Sequence, residues 1–143
     1  MQAFPHHYRV RAEGRCEGPV SVTADGVDAL PTTAPPEFGG PEGYWSPESL
    51  LVAAIADCFV LSFRAVARAS KLPWRELQVE VEGVLDRVEG VTQFTAFTIS
   101  PRLALEPGAS EALAQTVLAK SKRACLITNS LKAECDVEAE LVA

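Results

Sequence analysis

Little in this chain invites an easy assignment. There are only two histidines, adjacent at His6 and His7 near the N-terminus. Neither has a cysteine at metal-ligand spacing, so a zinc site is not expected. None of the four cysteines, Cys16, Cys58, Cys125 and Cys135, forms a C-x-x-C pair. There is no basic run and no interleaved aromatic stripe. With a net charge of −6, a nucleic-acid partner is not expected, because phosphate binding needs clustered Lys and Arg. The first residues lack a charged-then-apolar signal pattern, which reads as a cytoplasmic protein with reduced thiols. No internal repeat or low-complexity tract appears. What remains is 143 residues, 48% hydrophobic and 22% charged, too apolar for disorder and long enough for one domain with a real core.

The chain is organised around Ser46–Ser70. Ser46 can cap a helix by accepting from an orphan N–H. Pro47 suits the first helical position, and Glu48 places negative charge at the positive end of the dipole. Lys71-Leu-Pro73 ends the run. Between these stops the helix is apolar almost all round, so it is expected to be buried on most faces. Asp57, Arg64 and Arg68 argue against a membrane span.

Around this helix, Tyr8–Arg15 and Val20–Ala24 read as a hairpin of strands. Residues 30–45 are rich in proline and glycine and read as a long loop, either a functional one or a mere connection. Alternation over Leu77–Arg87 and Thr92–Leu105, joined by Glu89-Gly90, predicts a hairpin with one face on a core. Ser110 caps a second helix to about Ala124, and Cys135–Val142 closes as a strand. The pattern is α+β with antiparallel sheet.

Ser46-Pro-Glu-Ser-Leu-Leu, then Cys58-Phe59, then Cys125 with Asn129-Ser-Leu131 after the second helix, together resemble the OsmC/Ohr family of osmotically inducible and organic hydroperoxide resistance proteins. The resemblance runs over nearly the whole chain. It implies antiparallel sheets wrapped around a long buried central helix, in an intertwined homodimer. The implied activity is a thiol-dependent peroxidase reducing organic hydroperoxides, without a cofactor. Cys58 would be the peroxidatic residue and Cys125 the resolving one, with Glu48 and Arg15 matching the family's glutamate and the Ohr branch's arginine. The reductant would be a thiol, a lipoylated protein in the Ohr branch. Cys16 and Cys135 match no family cysteine. Two departures stand out: Pro35–Gly40 carries no arginine where the OsmC branch has one, and Leu126 follows Cys125 where proline is usual.

Chemistry gives these residues roles. A thiolate must attack the peroxide, and the resulting sulfenic acid condenses with a second thiol. Cys58 is too far inside its helix for the dipole to activate it, so a cation is needed, and Arg15 is the candidate. Glu48 and Cys58 lie about 15 Å apart along one helix, at 1.5 Å per residue. Both can serve one site only if a second subunit supplies Glu48, together with the Arg15 that it steadies. Leu51, Ile55, Phe59, Phe38, Trp45 and Leu126 are expected to form apolar walls suited to an alkyl or lipid hydroperoxide. The competing readings are a thiol hydrolase, for which His6 and His7 are the only available bases, and a non-catalytic thiol sensor or small-ligand binding protein.

Overall fold

A computed structural model describes residues 1–142. The chain divides into two units, Met1–Leu50 and the residues from Leu51 onward.

The first unit is built on a three-stranded antiparallel sheet of β1 (Arg11–Glu13), β2 (Val20–Thr23) and β3 (Leu30–Thr32), in that order. The strand expected over Tyr8–Arg15 shrinks to β1. Its partner β2 is short, and the register Arg11↔Thr23 to Glu13↔Ser21 leaves the preceding residues unpaired. The proline-glycine stretch contains a strand that composition hid. Pro31 sits in β3, at the sheet edge, where a missing N–H is tolerated.

The rest of that stretch is ordered by its own backbone. A 3-10 turn at Pro36–Phe38 is closed by Phe38 N–H to Pro35 O (2.9 Å) and Gly40 N–H to Pro35 O (3.1 Å), and Thr33 N–H donates to Trp45 O (3.0 Å). Gly40 is obligatory here, because a Cβ would run into the Ala34 carbonyl.

Helix α1 (Pro47–Ser70) begins at Ser46 as expected. Ser49 N–H donates to Ser46 Oγ (3.1 Å), and Ser46 N–H donates to Ser49 Oγ (2.9 Å). This is a reciprocal capping box with serine in the place usually held by Glu or Gln. At the other end Lys71 takes a left-handed φ of 55°. Leu72 N–H reaches back to Ala67 O (3.0 Å) and Lys71 N–H to Arg68 O (3.3 Å), a Schellman stop with Leu72 and Ala67 both in the core.

In the second unit, β4 (Trp74–Val88) and β5 (Val91–Leu105) form a long antiparallel hairpin. Its turn is Glu89-Gly90, both at positive φ (50° and 80°), as a type I′ two-residue hairpin turn requires. A register shift between Val84 and Leu85 skips Thr95, so Phe94 and Phe97, three residues apart, both serve the core side. Their rings stack at 5.0 Å, and Gly83 leaves them room, since a Cβ there would lie 2.9 Å from each.

Helices α2 (Glu111–Ala124) and α3 (Leu126–Asn129) follow, with Ser110 Oγ accepting from Leu113 N–H at the start of α2 (3.1 Å). The closing strands, β6 (Glu134–Val137) and β7 (Glu140–Val142), differ from the antiparallel expectation. Both pair parallel with β5, β6 along residues 96–99 and β7 along 102–104. The α2 crossover after β5 returns the chain in the same direction, so parallel pairing is what it permits.

The core joins one stripe of α1 (Ile55, Phe59, Phe63, Ala67) to Phe97, Ile99, Leu103 and Leu105 of β5 and Ala114, Val117 and Leu118 of α2. Phe63 meets Trp74 edge-on at 5.1 Å. Burial of α1 is confined to that stripe within a single chain. Only 22% of its most apolar 18-residue window is buried, although the helix is long and apolar enough to cross a membrane. Leu61, on the opposite face, is 52% exposed.

Candidate active site

One unbroken helix carries both Glu48 and Cys58. At about 100° per residue, Cys58 falls between the buried Phe59 stripe and the open face that bears Leu61. It is half-buried, while Asp57 beside it is exposed. The Cys58 Sγ lies 3.9 Å from Ser62 Oγ, one turn on. Ser62 was not picked out from sequence, although its i+4 spacing from the cysteine was the available signal. Among the described residues from Leu51 onward, no Lys or Arg hydrogen-bonds this sulfur.

Cys125 is fully buried at the joint of α2 and α3. Its N–H donates to Lys122 O (3.3 Å), and its carbonyl accepts from Asn129 N–H (3.1 Å) and Thr128 Oγ1 (3.0 Å). Asn129 Nδ2 ties α3 back to Arg123 O (3.0 Å), and Ser130 Oγ donates to Leu126 O (2.8 Å). The backbone of Cys125 is thus held from both sides. Leu126 occupies the first position of α3, which is where a proline would also fit, so this departure from the family pattern leaves the local geometry intact. All four cysteines are free thiols.

In the first unit, Arg15 is exposed in the turn between β1 and β2, and Glu48 lies in the first turn of α1. No ion pair joins them within the chain; among the described residues the ion pairs are Arg11–Glu13 and Arg102–Glu140. Instead, Glu48 Oε1 is buried and has no hydrogen-bond partner among the described residues. A buried carboxylate oxygen left unpaired costs about 1–3 kcal/mol or more, so this oxygen is suited to accept from a donor.

The expected apolar walls fare differently. Phe38, Trp45 and Leu126 are exposed (59%, 48% and 65%) and Leu51 is half-buried. Ile55 and Phe59 have no exposed surface and belong to the core. Their i, i+4 spacing on α1 turns them onto β5 and α2, so they back Cys58 rather than face a ligand. Phe38 also lines a cavity of about 390 Å³ within the first unit, with Tyr44, Val20 and the backbone of Gly39-Gly40. Tyr44 was not anticipated.

The OsmC-like protein family model matches residues 39–140. An organic hydroperoxide resistance protein of Xanthomonas axonopodis pv. citri is 32% identical over 130 residues, covering 88% of this chain and 87% of the relative. The uncharacterised protein YmaD of Bacillus subtilis is 25% identical over 139 residues, covering 94% and 93%. Among solved structures, an OsmC-like protein of Vibrio cholerae superposes with a TM-score of 0.86 at 18% identity, covering 94% of this chain and 99% of that one. An organic hydroperoxide resistance protein of Legionella pneumophila gives 0.77 at 25%, covering 99% and 100%. The chain is a member of the OsmC-like protein family.

Proposed function

We propose that the protein is a cytoplasmic, homodimeric thiol peroxidase that reduces alkyl or lipid hydroperoxides to alcohols. The observation that carries this reading is the pair of thiols in the second unit. Cys58 is open enough to be reached, and Cys125 is buried and rigidly held, both reduced. Relatives named for organic hydroperoxide resistance support the substrate class.

The Cys58 thiolate attacks the terminal peroxide oxygen and breaks the O–O bond. Sulfur is oxidised to sulfenic acid, and the alkoxide leaves as alcohol after taking a proton. The Cys125 thiol displaces water from the sulfenic acid to form a disulfide, which an external dithiol, such as a lipoylated protein, reduces.

The cation this chemistry needs is Arg15 from a second copy, steadied by that copy's Glu48. The unpaired Glu48 Oε1 supports this part, as does the apolar α1 face left open in one chain. Leu51 and Leu126 would line the organic end of the substrate, with Ile55 and Phe59 behind.

The test is a thiol count after one equivalent of cumene hydroperoxide. Rapid loss of Cys58 and Cys125 thiols, abolished in Cys58→Ser, is the expected result. Intact thiols would refute the reading. They would favour a second one, a thiol sensor or small-ligand binding protein, whose specific support is that, among the described residues of its own unit, no Lys or Arg hydrogen-bonds the Cys58 sulfur.

A further inference from the structure

Cys135 has no part in the scheme above, yet it lines a groove beside basic residues and near a second thiol. It stands in β6 opposite Phe97, half-buried against the core. It opens into a groove of about 420 Å³ shared with Lys122, Arg123, Thr128 and Asn129. Two of these residues flank Cys125 directly: Lys122 O accepts its N–H, and Thr128 Oγ1 donates to its carbonyl. The groove is therefore lined by Cys135 and by residues on either side of the buried Cys125 in the chain.

Cys125 is near enough to act on the charge of Cys135. Burial pushes the Cys135 thiol up from its ordinary value, Lys122 draws it back, and Cys125 and Asp136 push it up again. A thiol so placed is mostly protonated and reacts through its minor thiolate fraction, whose charge Lys122 favours.

We propose that Cys135 is a third redox thiol, which takes the disulfide over from Cys125 and presents it to the reductant in the Lys122–Arg123 groove. The inference rests on the peroxidase reading above. The Cys135 thiolate attacks the Cys125 sulfur of the Cys58–Cys125 disulfide. The S–S bond to Cys58 breaks, its electron pair leaves with Cys58 as thiolate, and a Cys125–Cys135 disulfide forms. An external dithiol then attacks Cys135 in the groove and closes to its own cyclic disulfide, returning both protein thiols. The physical advantage is access. Cys125 is fully buried and cannot meet a carrier, whereas Cys135 can, and the peroxide entrance at Cys58 is released for the next substrate.

The experiment maps disulfides by mass spectrometry of unreduced peptides and has three arms. In Cys58→Ser treated with diamide, which bypasses peroxide chemistry, a Cys125–Cys135 link is expected; its absence overturns the proposal whatever the fate of the peroxidase reading. In the unmodified protein given one equivalent of cumene hydroperoxide, Cys58–Cys125 should appear first and Cys125–Cys135 later; Cys58–Cys125 alone at all times overturns it. In Cys135→Ser the first turnover should be unchanged, while steady-state turnover with dihydrolipoamide falls about tenfold, as expected when the accessible exchange partner is lost; an unchanged steady state overturns it. If Cys58 stays reduced under peroxide, the peroxidase reading fails and the relay falls with it, while the diamide arm still reports whether the two thiols can pair.

Discussion

Glu48→Gln separates an orphan carboxylate from a paired one by the sign of its effect. The substitution keeps shape and volume and removes the charge. In one chain Glu48 Oε1 is buried with no donor. If that were its working state, an amide there would be neutral or stabilising, since nothing rewards the charge. If a guanidinium from a second copy fills the position, a hydrogen bond to a charged group worth about 1.5–3 kcal/mol is weakened. With a denaturant slope of about 2 kcal/mol per molar urea, that loss moves the unfolding midpoint down by about 1 M. The shift should grow with protein concentration, because only the associated form holds the contact. The same variant should lose peroxide turnover, because the cation that favours the Cys58 thiolate is no longer aimed. The assays are urea unfolding at two protein concentrations and stopped-flow loss of cumene hydroperoxide. A midpoint that rises or stays put, with turnover intact, would refute the argument for an inter-subunit cation.

Two further outcomes test the packing. Leu61→Glu places a charge on the open α1 face; burying its exposed half is worth about 1 kcal/mol per chain, so the dimer should weaken by at least ~30-fold. Light scattering would show a shift towards the 15.3 kDa monomer, and an unmodified protein that is already a fully active monomer would contradict the expectation. Gly83→Val drives a side chain into the stacked Phe94 and Phe97 rings and should cost about 1–3 kcal/mol in urea unfolding, whereas an unchanged midpoint would mean the rings move aside freely.

The candidate site was nameable from sequence because its signals are local. Cys58, Cys125, Glu48 and Arg15 match the family pattern residue by residue along the chain. Which of the expected wall residues remain open was not readable. Ile55, Phe59 and Leu51 are equally apolar as letters, and only the direction in which α1 meets β5 turns the first two fully inward. Cys135 was passed over for the same kind of reason. Ten residues separate it from Cys125, and nothing in that spacing shows that β6 brings it to a groove lined by the end of α2.

The division follows the range of the forces. Helix ends at Ser46-Pro47 and Ser110, the Glu89-Gly90 turn and the alternation of β4 are set by hydrogen bonds and dihedrals spanning a few residues, so the sequence alone determined them. The parallel pairing of β6 and β7 with β5, the strand hidden at Pro31, the skipped Thr95 and the single buried stripe of α1 depend on which distant segments pack together. Those choices were decided by tertiary structure, because burial and strand pairing reward contacts between residues far apart in the chain, whose meeting no local pattern encodes.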